Sequence, residues 1–256
     1  MALIDHLSRG RLIVGLGRGT AYNIYDYQGY GIDAAEAQAR FEEAAEVMVK
    51  AWNGEAMEHR GRFWQLKLPQ LRPRPFTQPH PLVIRSASGE ASMVEIARSG
   101  EPFLMNVQSN AVTRQRLELY RRTMREAGFD DAAVARNLDD CWIWRNVFVA
   151  DTDAEARGVG LPAFQAMIEQ RAAMRNRVYA EQGVRLQAEP AAAPARADPD
   201  HGLICGSPAT VAAALAEIAR LGAGGVIMQF RLGPMSHAAA TRSMELFARE
   251  VVPKFR

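Results

Sequence analysis

The sequence predicts an α/β protein whose core is a parallel sheet covered by helices. Three observations predict it. Short, continuously apolar runs recur along the chain, each is followed by a glycine- or serine-rich turn, and each turn leads into a segment with helical apolar spacing. Apolarity without alternation means that both faces of each strand are covered, as in a sheet packed between helices. The 256 residues suffice for one large domain and equal the size of a complete (β/α)8 barrel.

The elements follow in order. Leu12-Ile13-Val14 reads as a buried strand that ends in Gly15-Leu16-Gly17-Arg18-Gly19, and the stretch holding Tyr22, Tyr25, Tyr27 and Tyr30 reads as a loop. From Ala34, the spacing of Phe41, Ala44, Ala45, Met48, Val49 and Trp52 predicts an amphipathic helix that stops near Asn53-Gly54. Five prolines between residues 61 and 81 exclude a helix or a central strand there, so an extended connection is expected. Leu82-Val83-Ile84 is the second strand and runs into Ser86-Ala87-Ser88-Gly89. A helix with Met93, Ile96 and Ala97 inward follows and closes at Gly100. Phe103-Leu104-Met105 is the third strand, followed by a helix from Thr113 to Ala127. Residues 141–150 form the fourth strand, and Asp151-Thr152-Asp153 caps a helix expected to reach Tyr179. Residues 187–200, rich in Ala and Pro, are expected to be a flexible excursion. Gly206-Ser207-Pro208 opens a helix, residues 226–230 are the fifth strand, and a helix over 237–252 ends the pattern.

Composition narrows the function. With 48% apolar and 23% charged residues the chain is neither disordered nor fibrous, and a net charge of +2 gives no basic surface for nucleic acid. No eighteen-residue apolar run is present and the first ten residues do not form a signal peptide, so no membrane span and a cytoplasmic location are expected. Cys141 and Cys205 sit in apolar runs without CxxC spacing and read as buried free thiols. The five histidines are scattered, with no metal or triad spacing.

Two turns carry candidate chemistry. Gly15 to Gly19 lacks the sixth-position glycine of the dinucleotide fingerprint, since Thr20 stands there. It reads either as a strand end kept free of side chains for a flat ligand, with Arg18 aimed at a polar edge, or as a tight turn with a solvated arginine. Ser86, Ala87 and Ser88 between strand and helix supply hydroxyls and free N–H groups suited to a phosphomonoester, or simply a helix cap by Ser88, and Glu90 weakly opposes a dianion. Both turns lie at strand carboxyl ends, where parallel α/β folds build sites. Asn106, just past a strand, is a further candidate ligand contact. Trp142 and Trp144 share a face that reads as core.

The stretches 4–12, 15–19, 40–52, 81–88, 206–208 and 244–253 together resemble the bacterial luciferase-like flavin-dependent monooxygenase family, in collinear order over nearly the whole chain. The resemblance implies a TIM-type barrel that binds reduced flavin mononucleotide (FMN) at its strand carboxyl ends, activates O2 on the flavin and oxygenates a small organic substrate. A flavin reductase would supply the reduced flavin. By position, Gly17, Arg18 and Gly19 would meet the flavin or its phosphate, and Ser86, Ala87 and Ser88 would cradle the phosphate. Arg85 and Asn106 complete the candidate cofactor set, Arg85 standing where the family often has an acidic or small residue. Residues 187–200 fall where the family carries a variable lid.

The run from Asp5 to Gly19 corresponds to the family's third helix end and fourth strand. The expected architecture is therefore one luciferase-like domain over 1–256 holding the last five βα units of a (β/α)8 barrel, without the first three. Catalytic residues would lie in those three units. Two open edges would then favour a homo-oligomer. Alternatives are a deazaflavin-dependent hydride transferase of the same fold, a non-catalytic piece that needs a partner chain, and, more remotely, a Rossmann dehydrogenase.

Overall fold

The computed structural model describes residues 1–19, 24–87, 89–182 and 194–255. The chain divides into two compact units, Met1–Ser86 and Ala87–Arg256.

The first unit begins with α1 (Ala2–Ser8), whose last turn closes on Arg9 in the left-handed region, and continues into β1 (Ile13–Leu16). Residues 24–29, expected as loop, are a short helix, α2 (Ile24–Gly29). A 3-10 turn capped by Asp33 then leads into α3 (Ala37–Trp52), and β2 (Met57–Arg60) pairs antiparallel with β3 (Gln65–Leu68). The proline-rich connection is thus partly a strand. The prolines begin only at Pro69, so Gln65 to Leu68 keep their N–H groups for the hairpin. β4 (Leu82–Ala87) runs parallel to β1 with Ile13 opposite Leu82 and Leu16 opposite Arg85.

The Asp5-His6 motif has a structural explanation. Asp5 is fully buried, and its carboxylate accepts from Thr77 N–H at 2.8 Å and Thr77 Oγ1 at 3.2 Å, while its carbonyl accepts from Gly10 N–H at 3.0 Å. His6 Nε2 donates to the Arg74 carbonyl at 2.8 Å and its ring meets Phe76 edge-on. Gly10, with φ of 78°, could not carry a Cβ without crowding Thr77 and Phe76. The motif therefore ties α1 to the proline-rich connection. Asp5→Ala is expected to cost roughly 1–3 kcal/mol, because the part-buried Thr77 N–H and hydroxyl lose their acceptor. Urea denaturation of the two proteins measures it, and a loss below about 0.5 kcal/mol would contradict the assignment.

The second unit holds α4 (Glu90–Ser99), closed by Gly100 in the left-handed region, then β5 (Phe103–Met105), α5 (Asn110–Glu126) and α6 (Asp131–Asp139). β6 (Trp142–Val149) and α7 (Asp153–Gln182) follow. Within the expected excursion, α8 (Pro194–Ala197) and the start of α9 (Pro199–Gly202) are helical, and residues 187–193 lie outside the described residues. β7 (Leu203–Gly206), α10 (Pro208–Ala219), β8 (Gly225–Gln229) and α11 (His237–Glu250) complete it.

Strand pairing here is parallel throughout. β5 pairs with the start of β6, and β6 then carries two partners: β8 along residues 142–146 and β7 along 146–149. β7 is a sixth parallel strand beyond the five expected, and only the three apolar residues Leu203-Ile204-Cys205 announce it. Along β6, Cys141, Ile143, Arg145, Val147 and Val149 are buried on the helix side with α5 and α11. The opposite face is core only at its far end, where Asn146 and Phe148 are buried; Trp142, expected there as core, is half-buried, and Trp144 and its β8 neighbour Ile227 are 36% and 38% exposed.

Both cysteines are free. Cys141 is fully buried, and burial pushes its thiol up to about 12. Cys205 is only half-buried; burial pushes it up to about 11, and its thiol donates to the Ala156 carbonyl at 3.1 Å. Both are unreactive as thiolates at neutral pH. No helix among the described residues is long and apolar enough to cross a membrane.

Candidate functional site

In the first unit the β1–β4 register decides which candidates share a face. Paired residues of parallel strands point to the same side, so Ile13, Gly15 and, by continuation, Gly17 line up with Leu82, Ile84 and Ser86. On that side Gly15, Gly17 and Ser86 are exposed, and a Cβ added at either glycine would meet nothing within 4 Å. The two glycines are therefore not demanded by packing. They leave a flat, side-chain-free strip of backbone at the carboxyl end of β1 beside the Ser86 hydroxyl. Gly19, at φ 86°, does need its glycine for the turn.

Arg18 and Arg85 go the other way, towards α3. Arg18 Nη1 donates to Gln38 Oε1 at 3.1 Å, Gln38 Nε2 donates to Glu42 at 2.7 Å, and the Arg18 carbonyl accepts from Tyr27 Oη at 2.8 Å. Its guanidinium is exposed and held at the rim by a neutral amide, which leaves its charge available to an anion. Arg85 lies over the Phe41 ring, 5.5 Å from the centroid, on the face opposite Ser86. The structure thus brings Gly17 and Ser86 together and sets Arg85 apart from them.

In the second unit, Ala87 and Asn106 line one small recess with Gly89, Met105, Gln108 and Arg116. Gly89 is the N-cap residue of α4. Its N–H donates to Ser92 Oγ at 3.1 Å and its carbonyl accepts from Met93 N–H. Ser88, the expected cap, lies outside the described residues. Helix geometry leaves first-turn N–H groups of α4 without intrahelical acceptors. Glu90, the residue expected to oppose a dianion, has its carboxylate 3.5 Å from Arg116 Nη1. Sequence reading missed Arg116 and Gln108, because α5 and the loop before it bring them to α4 only in the fold.

A separate groove of about 590 Å³ in the first unit is lined by Glu42, Glu43, Glu46, His59 and Arg62. His59 is not solitary as its sequence position suggested. Its Nε2 lies 3.1 Å from Glu43, which also accepts from Phe63 N–H and Trp64 N–H at 3.1 and 2.9 Å. Burial raises the Glu43 carboxyl, but the bonds from Trp64, His59 and Phe63 outweigh it and hold the group below the ordinary carboxylate range. With its lone pairs so committed, Glu43 pins the β2–β3 hairpin to α3 rather than acting as a base. Gly61 fits because a Cβ there would overlap this carboxylate.

Residues 1–224 match the family described as luciferase-like monooxygenase. The chain belongs to the luciferase-like monooxygenase family. The oxygenase component of a flavin-dependent trigonelline monooxygenase from Acinetobacter baylyi is 36% identical over 80 residues, 31% of this chain and 22% of that protein, so the match spans less than a quarter of that relative. Among solved structures, the monooxygenase RslO1 from Streptomyces bottropensis aligns with TM-score 0.72 and 26% identity over 100% of this chain and 72% of its own. The FMN-bound oxygenating constituent of 3,6-diketocamphane monooxygenase from Pseudomonas putida aligns with TM-score 0.67 and 21% identity, over 98% of this chain and 73% of its own. A coenzyme F420-dependent tetrahydromethanopterin reductase from Methanopyrus kandleri shares the fold at TM-score 0.63 and 17% identity, over 100% and 77%. The fold is the luciferase-like member of the (β/α)8 barrel class, and five of the parallel strands follow the expected βα order.

Proposed function

We propose that this chain is the oxygenase part of a flavin-dependent monooxygenase, which takes reduced FMN from a separate reductase and uses O2 to oxygenate a small organic substrate. The observation that carries the reading is the bare backbone at the end of β1, where Gly15 and Gly17 leave an open face beside Ser86 although packing does not require them. The likeness to an enzyme designated an oxygenase component supports the separate reductase.

The residues present fit the cofactor. Within the first unit a planar ring system can lie against the glycine strip, with the Ser86 hydroxyl beside it and the Arg18 guanidinium offering charge at its rim. Bound reduced flavin supplies the electrons that activate O2. The protein's work is to hold the ring flat, to anchor the anionic tail and to keep water from the reacting edge. The exposed apolar pair Trp144 and Ile227 offers a surface for an organic substrate.

Titration of the protein with FMN, followed by fluorescence quenching, tests the reading. Binding in the micromolar range is expected, and none at high micromolar FMN overturns it. Gly17→Leu is expected to weaken FMN about tenfold, by filling the strip at a cost near 1.4 kcal/mol in binding, while leaving Tm within about 1 °C because the side chain enters open space. A second reading, hydride transfer with a deazaflavin, is favoured by the likeness to the F420-dependent reductase, and binding of F420 in preference to FMN would select it.

A further inference from the structure

Two buried polar atoms in the second unit have no hydrogen-bond partner among the described residues, Gln108 Oε1 and Arg116 Nη1, and both residues line one recess beside the start of α4. Gln108 is only 5% exposed. The recess measures about 10 Å³, which admits one water and nothing larger. The rest of its lining offers little competition. Ala87, Met93 and Met105 bring apolar side chains, and Gly89 spends its N–H on Ser92 Oγ and its carbonyl on Ser92 Oγ and Met93 N–H.

The two atoms are of opposite kind. Arg116 Nη1 carries protons and needs an acceptor, whereas Gln108 Oε1 has lone pairs and needs a donor. They do not satisfy each other directly, and Glu90, whose largely exposed carboxylate lies 3.5 Å from Arg116 Nη1, makes no hydrogen bond to it. One water satisfies both, accepting from the guanidinium and donating to the amide oxygen. An anion would be opposed by the Gln108 oxygen and a cation by the guanidinium, so a small neutral molecule that both donates and accepts is the class that fits.

The consequence reaches Asn106, whose Oδ1 accepts from Gln108 Nε2 at 2.9 Å. If the Gln108 amide were turned over, its N–H groups would face the guanidinium, and a water held between two donors would have no acceptor for its own protons. The cation therefore selects the direction of the Gln108 amide, and through it the end of the Asn106 amide that is committed.

We propose that the recess is a one-water site in which Arg116 and Gln108 act as positioning residues, the water bridging Arg116 Nη1 to Gln108 Oε1 and so holding Asn106 with its Oδ1 turned to Gln108 and its N–H groups left uncommitted just past β5. The bridge lies wholly within the second unit and stands whether or not the chain binds flavin.

A crystal structure of the protein should show one water about 3 Å from both atoms. A direct Gln108–Arg116 hydrogen bond, or no water between them, overturns the site. In solution the test is a double-mutant cycle read by urea denaturation. Arg116→Met and Gln108→Met should each raise the unfolding equilibrium constant about tenfold, by stranding the other atom. The double variant should also raise it about tenfold rather than about a hundredfold, because removing both members leaves nothing unsatisfied. The Gln108–Asn106 bond is lost on both sides of the cycle and cancels. Arg116→Lys, whose ammonium also donates to water, should recover most of the loss. Single effects that multiply to within about twofold overturn the bridge. The coupling should survive in a Glu90→Gln background, and its disappearance there overturns the bridge in favour of a direct charge pair. In wild type the Gln108 side-chain N–H groups should exchange with deuterium more slowly than those of Asn106, and the reverse order overturns the assigned amide direction.

Discussion

Arg145→Ala is expected to destabilise the protein by roughly 3–5 kcal/mol, lowering Tm by on the order of 10 °C. Arg145 is 2% exposed in the middle of β6, on the face otherwise filled by Cys141, Ile143 and Val147. Its guanidinium donates to the Trp144 carbonyl at 2.9 Å, to Asn110 Oδ1 at 3.2 Å and to Thr113 Oγ1 at 3.0 Å, and no carboxylate among the described residues pairs with it. Alanine would leave a cavity the size of the side chain and strip Asn110 of a partner at the start of α5. Methionine restores most of the volume without the charge and should lose less than half as much.

The same residue gives a pH signature. Burial pulls the Arg145 pKa down to about 10, so above that pH the unfolded chain holds the proton more tightly than the folded one. Stability rises with pH wherever the unfolded state binds more protons. The penalty of burying the charge is therefore complete below about pH 10 and relieved as pH climbs through it. Urea midpoints of wild type and Arg145→Met at pH 8 and near 10.5 should differ by an amount that moves in favour of wild type at the higher pH. A difference that does not change with pH would count against a pKa lowered by burial.

Gly224→Ala is expected to cost on the order of 3 kcal/mol, enough to reduce soluble yield. The Gly224 N–H donates to the Leu138 carbonyl at 2.8 Å, and a Cβ built on this residue would sit 1.7 Å from the Asp139 carbonyl oxygen. That obstacle is backbone, so no rotamer change relieves it, and the α6 end and the β8 start must separate. Gly17→Ala, whose new methyl meets nothing, serves as the control and should melt with wild type. Equal Tm values for the two variants would contradict the close approach.

The contrast between these glycines shows how far the candidate site was legible. Both lie in glycine-rich turns beside apolar strands, and sequence pattern treats them alike. Only the fold separates Gly224, required by packing, from Gly15 and Gly17, which packing would not miss. Ser86 and Gly17 were legible because each follows its own strand directly, and parallel pairing then sets them side by side. Arg116 and Gln108 carried no local signal. An arginine in the second turn of a helix and a glutamine in a loop are ordinary, and only the docking of α5 beside α4 makes them orphans in one recess.

By itself the sequence determined the alternation of apolar strands and amphipathic helices, the strand ends that carry Gly17 and Ser86, and the family, because these depend on periodicity, turn chemistry and local motif. It could not determine the β2–β3 hairpin, the pairing of β6 with both β7 and β8, the turning of Arg85 onto Phe41, or the exposure of Trp144. Each of those is set by which segments meet across long stretches of chain, and pairwise packing of that kind leaves no periodic trace in either partner.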